Sequence, residues 1–421
     1  MKLQNTKNAR LIVALAAMAS LHLSRPPADA ASFTWVASGA TGGWATRANW
    51  SPNNLFPNTG YTGTDLIIQI DSRSTAITTS DNITSPLSVN QIHFETGTGN
   101  EAVTLTVSAG SASLNFVADG TTGPSIVQNS GASVLINGNG TTGVGGITLQ
   151  NNLSITGTGS GLLTISTIIS GTGKMTIDRS GIVVLNGANT FSGGVTLDKG
   201  IIRMATGSPA VLGSGTFSMN GGRISTVSSS PKVLSNAIRV GEAAAATFGD
   251  STLNGVLTFN GAANFGAGSK VVAESNVLFQ NTSITLGGNV TFEQKENAQI
   301  SLNNLDAAGG VTFELTLGST PFNITNALTN SDSSLLKFAL NGGTTGVVYT
   351  LVNFGSSTID YSQLQLAGGD YILDSTFGTG GWLINENNLQ VQLIPEPATI
   401  GLAILGLPAL GLYSLRRRWK N

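Results

Sequence analysis

The chain has 421 residues, of which only 10% are charged and 54 are glycine; it has no cysteine and a formal net charge of −2. The missing cysteines exclude disulfides and thiolate metal sites. The sparse Lys and Arg exclude the clustered basic surface that a nucleic-acid partner needs.

The first 30 residues read as a signal peptide. Lys2, Lys7 and Arg10 precede an apolar run over 11–23, and Ala28-Asp29-Ala30 forms a small-residue cleavage site before Ala31. A run of that length is short for a membrane span. Without residues 1–30 and 394–421 the chain keeps 12 basic and 20 acidic residues, a net charge of about −8. Abundant Gly, Ser, Thr and Asn describe a β-rich extracellular protein. Alternating Val, Ile, Leu and Phe set it apart from a disordered one.

Residues 31–95 form an N-terminal capping module. Trp35, Trp44 and Trp50 are three of the chain's five tryptophans, and Gly39, Gly42 and Gly43 place turns between them. Aromatics with turns point to short strands that close the end of a longer β-structure; a sugar-binding aromatic platform is the alternative. Residues 65–71 and 88–94 read as strands.

From 96 to 345 the pattern is uniform. Val103/Leu105/Val107, Val134/Ile136, Leu153/Ile155, Met175/Ile177, Val183/Leu185 and Val195/Leu197 all alternate with mostly polar residues, so one face of each strand is buried. Asn-Gly pairs at 137, 139, 186, 220, 254, 260 and 341 would make hairpin turns in a meander or sandwich. Such a rhythm over about 250 residues is too long for one sandwich. A solenoid has no such limit, because each coil touches only its neighbours. The expected fold is therefore all-β, a parallel β-helix with apolar ladders inside and Thr and Asn at the bends.

Within it, residues 168–224 carry Leu185, Gly187, Ala188, Asn189, Thr190, Phe191, Gly193 and Gly194. This stretch resembles the autotransporter-associated β-strand repeat, with Phe191 where Tyr is usual and Val195 where Thr is usual. The resemblance covers about an eighth of the chain. It implies a right-handed parallel β-helix of the passenger type displayed outside bacteria. The Trp/Gly-rich opening looks like the modules that precede such passengers. There is no room before Ile394 for an autotransporter's membrane barrel.

Residues 346–393 read as terminal strands, with Tyr361, Tyr371, Phe377 and Trp382 closing the far end. The last segment, 394–421, has three parts in order. Pro395, Glu396 and Pro397 come first, then 18 uncharged residues from Ala398 to Leu415, then Arg416, Arg417, Arg418 and Lys420. A helix of that length spans about 27 Å, close to the bilayer's hydrocarbon core. The expectation is a single transmembrane helix whose basic end stays cytoplasmic. The segment resembles a PEP-CTERM sorting signal. That resemblance implies an exosortase as the processing partner, an inner-membrane-anchored intermediate, and delivery to the cell surface or extracellular matrix. A GPI signal usually ends in its apolar tail, not in a basic cluster.

Candidates for chemistry are few. His93 is the one histidine outside the signal segment, and no metal-ligand or nucleophile spacing is present. Asp65/Asp71, Glu293/Glu296 and Asp370/Asp374 are the nearest carboxylate sets. Asp178-Arg179 and Asp198-Lys199 stand about one coil apart and read as a solvated ion-pair patch rather than a catalytic group. The reading is a non-enzymatic structural or adhesive protein with no cofactor, no metal and no catalytic residue. Its partners would be the exosortase, the membrane, and extracellular polysaccharide or neighbouring cells. The alternative is a carbohydrate-active enzyme or glycan-binding module on the same scaffold.

Overall fold

The alternation becomes three short strands per turn of a coil. The computed structural model describes residues 31–53, 64–83, 86–107, 113–138, 146–205, 210–281, 284–368 and 371–395. In the first complete coil, Ile67–Asp71, Ile77–Asp81 and Leu87–Val89 each bury alternate residues. Each then pairs in parallel with the strand one coil later: Gln91–Glu95, Val103–Val107 and Leu114–Phe116. Repeating this gives an all-β solenoid of about 12 turns with almost no helix. The short 3₁₀ turns Arg47–Asn49 and Tyr361–Gln363 are the helical segments among the described residues.

Stacking in register turns single alternating residues into ladders. On the first side, Ile68, Ile92, Ile126, Ile155, Ile177, Leu197, Met219, Val240 and Phe265 follow one another through the coils. None of these nine is exposed. Fully burying such a side chain is worth about 1.5–3 kcal/mol, so this ladder is a main source of cohesion in a chain without disulfides. In the C-terminal half the ladders on the other two sides become aromatic. Phe292, Phe313 and Phe338 stack with centroids 6.2 and 5.1 Å apart, and Phe259 stacks on Phe279 at 5.3 Å.

The parallel ladder begins at Ser32–Trp35, which pairs with Ile67–Asp71, and it runs without a break across residues 95 and 96. The opening tryptophans lie inside the first coil. Trp35 and Trp44 both meet Trp50 edge to face, at 5.0 and 5.5 Å. All three are buried, so they are packing residues and not a sugar platform. At the far end the direction of pairing changes. Asn388–Pro395 runs antiparallel to Val348–Ser357, Tyr371–Leu373 and Trp382–Ile384. Trp382 closes on Phe338 at 5.2 Å, and Tyr361 packs partly buried against the core.

Two local expectations are corrected. Residues 88–94 are two strands, Leu87–Val89 and Gln91–Glu95. Asn90 turns the corner between them, because its buried amide donates to the carbonyls of Val117 and Thr122 at 2.9 and 3.1 Å. Conversely, Met175–Leu185 and Val195–Met204 each cover two sides of the coil in one strand, bending at register shifts after Ile177 and Asp178.

Candidate functional site

The repeat-like motif runs from the end of the second side, at Leu185, through the third side of one coil. Leu185, Gly187, Asn189 and Phe191 point inward, while Ala188 and Thr190 are exposed. Asn189 holds three coils together. Its Oδ1 accepts from the Ile169 N–H at 2.8 Å, and its Nδ2 donates to the Val211 carbonyl at 2.6 Å. Gly193 and Gly194 make the next corner. A Cβ on Gly193 would stand 2.4 Å from the Gly173 carbonyl carbon, and Gly194 has φ +80°. The motif's residue types thus follow from close coil-to-coil approach and from satisfying buried polar backbone.

Of the terminal residues singled out in the sequence, Ala31 and Pro395 are placed. The Ala31 carbonyl accepts from Ile67 N–H at 2.9 Å, so the ladder includes it. Ile394 and Pro395 form the end of the last strand, opposite Ile372 and Tyr371. Ala28, Ala30, Glu396, Pro397, Ala398, Leu415, Arg416, Arg417 and Arg418 lie outside the described residues. Among the described residues no helix is long and apolar enough to cross a membrane.

The expected ion-pair patch divides in two. Lys199 Nζ meets Asp178 Oδ1 at 3.0 Å across neighbouring coils, and both side chains are about half exposed. Arg179 does not belong to this solvated patch. It points inward, fully buried, and donates to the carbonyls of Gly159 and Gly161 at 2.9 Å and of Ile182 at 3.2 Å. Burial pushes its guanidinium below the usual arginine range. His93 is half-buried on the outer face, with Nε2 2.7 Å from Gln91 Oε1 and Nδ1 3.6 Å from Glu95. Its desolvation outweighs the pull of Glu95 and lowers its pKa, which keeps the ring neutral at pH 7.

The densest array of charge was not legible as a motif. Arg203, Arg223, Asp250, Lys270, Glu274, Glu293 and Glu314 come from six successive coils and meet on the outer second side. Arg223 bridges Asp250 at 3.5 Å and Glu274 at 2.6 Å, and Arg203 reaches Asp250 at 3.3 Å. Lys270 bridges Glu293 at 2.9 Å and Glu314 at 2.6 Å, and Lys295 also pairs with Glu293. A groove of about 660 Å³ opens beside Arg223, Asp250 and Glu274. Burial raises the Asp250 carboxyl. The N–H groups of Thr252 and Leu253, with Arg223 and Arg203, outweigh that and hold it below the usual carboxylate range. Glu293 is lowered in the same way by Lys295 and Lys270. Lys270 is raised by its two glutamates against the effect of burial.

Chemically the array is a set of mutually satisfied ions. General acid catalysis needs a carboxyl whose pKa is raised towards the working pH. Among the described residues the carboxyl shifted upward is Asp81, at about 6, and it is sealed in the interior. No group of three or more His, Cys, Asp or Glu suited to a metal occurs among the described residues. The network's sequence signal was the spacing of Glu293 and Glu314, which are register partners of each other, while Lys270 on the strand before them pairs with Thr291. It becomes readable only once the coil length is known. Comparison with family models, with curated proteins and with solved structures gives no match to this chain.

Proposed function

We propose that this chain is an exported structural or adhesive β-solenoid of a bacterial envelope or extracellular matrix. It carries a PEP-CTERM-like tail, residues 394–421, that an exosortase processes after the membrane has held it. The right-handed coil implied by the repeat resemblance fits such a passenger-like role. The observation that carries the reading is a solenoid of about 12 coils with ion pairs that link neighbouring coils on one outer side. A long stacked flank of this kind suits many weak polar contacts. Asp250 and Glu274 both lean on Arg223, which argues against their use as a free acid–base pair. Incubating the full-length chain with a panel of matrix polysaccharides separates this reading from a carbohydrate-active enzyme. Retention of the polymer without cleavage is expected; steady release of shorter sugars would overturn the non-enzymatic reading.

A further inference from the structure

The third side of the solenoid carries a second groove, of about 410 Å³, near its C-terminal end. Its walls are amides: Asn323, Asn353, Asn387 and Asn388, with Thr325 and Gly355 also lining it. Three of the asparagines form a row across adjacent strands. Asn323 on Phe322–Thr329 pairs with Asn353 on Val348–Ser357, which pairs with Asn388 on Asn388–Pro395. The row begins one strand earlier at Ser301, whose Oγ receives the Asn323 amide at 3.4 Å. Asn353 and Asn387 make no side-chain hydrogen bond among the described residues. Gly355 keeps the floor low, since a Cβ there would meet the Thr325 and Asn326 carbonyls at 2.7 Å.

Three features narrow the ligand. No lining residue is charged, so no ionic group is selected. Asn353 offers a donor and an acceptor side by side, Asn388 a donor beside an Oδ1 that accepts from Asn385 at 3.1 Å, and Asn323 an acceptor beside its bond to Ser301, which suits adjacent hydroxyls. Each of the three strands is already paired along both edges, so an extended peptide would find no free backbone edge to join. The row runs along the solenoid axis with one amide per strand, about 4.7–4.9 Å apart, a step comparable to one sugar ring in an extended chain.

We infer that this groove binds a neutral linear polysaccharide lying along the solenoid axis, about one sugar per strand, through the amides of Asn323, Asn353 and Asn388. The inference deepens the proposed matrix role and rests on it. The test is isothermal titration of the full-length chain in detergent with cellohexaose and mannohexaose, with oligogalacturonate and an uncharged peptide as comparisons. Saturable binding of at least one neutral hexaose, little changed by salt, is expected. The Asn323→Ala/Asn353→Ala pair should weaken it by about tenfold or more. Asn388→Ser should weaken it independently, while Asn115→Ala, an outward residue on the same side but in an early coil, should leave it unchanged. Circular dichroism checks that each variant is folded. Absence of neutral-sugar binding, preference for the uronate or peptide, or full binding by the folded pair would overturn the inference. If any of these occurs while the chain still reaches the cell surface, the groove assignment fails and the matrix reading survives. A chain found in the cytoplasm would instead remove the matrix reading itself.

Discussion

Two buried charges show how much single residues cost this fold. Asp81 ends an alternating strand and points inward. One oxygen accepts from Ile83 N–H at 3.1 Å, and the other has no partner. Desolvation dominates, with the Ile83 bond opposing it, and the carboxyl rises from 3.8 to about 6. A folded-state pKa above the unfolded one means that stability is fully present below about pH 4 and is lost as pH rises through about 6. The loss at neutral pH is of order 3 kcal/mol. Asp81→Asn should therefore melt higher than the parent at pH 7.5 and lose most of the difference between pH 4.5 and 7.5. An unchanged pH dependence in the variant would refute the assignment. Arg179 is the opposite case, a buried cation that satisfies three carbonyls. Arg179→Ala should cost about 2–4 kcal/mol by orphaning them. Lys199→Ala, which breaks only the exposed pair with Asp178, should cost under about 1 kcal/mol. Urea unfolding of the two variants compares them, and equal losses would contradict the inward placement of Arg179.

At the level of the element, the inward ladders were readable and the corners were not. Period-2 alternation marks which residue of each strand faces in, and Ile155, Ile177 and Leu197 stack as that pattern requires. A corner has no such period. Asn90 looks like one more polar residue in a strand over 88–94, yet its amide turns the chain. Arg179 looks like a surface partner of Asp178, yet it keeps the inward phase of Met175 and Ile177. The residue types at 185–194 stood out in the sequence, and the contacts that explain them are visible only in three dimensions. Gly193→Ala forces a Cβ against the preceding coil's backbone and should cost about 3 kcal/mol or more. Asn189→Ala should cost about 2 kcal/mol by leaving the Ile169 N–H and Val211 carbonyl unpaired. Hydrogen exchange should localise the Asn189→Ala change to the coils containing residues 169, 189 and 211. Uniform deprotection of the whole chain would contradict a bridge confined to those coils.

At the scale of the molecule, each coil contacts only its neighbours, so length adds surface without needing a larger core. Both ends then need covers, and the chain supplies them from different materials: three packed tryptophans at the start and antiparallel strands with Trp382 at the finish. The charged array at Arg223 and the amide row at Asn353 escaped sequence reading for one reason. Their members are separated by whole coils, and insertions make the coils unequal, from 19 residues between Val183 and Ile202 to 37 between Thr41 and Thr78. The proposed role makes this solenoid surface cargo directed by its two ends. Fractionation of the producing cells, with the mass of the recovered chain, tests it most directly. The parent chain is expected at the surface or in the matrix without residues 1–30 and with its tail processed, and a Glu396→Ala variant is expected to stay unprocessed in the membrane. Recovery of the intact chain from the cytoplasm, or an unaltered fate for the variant, would contradict it.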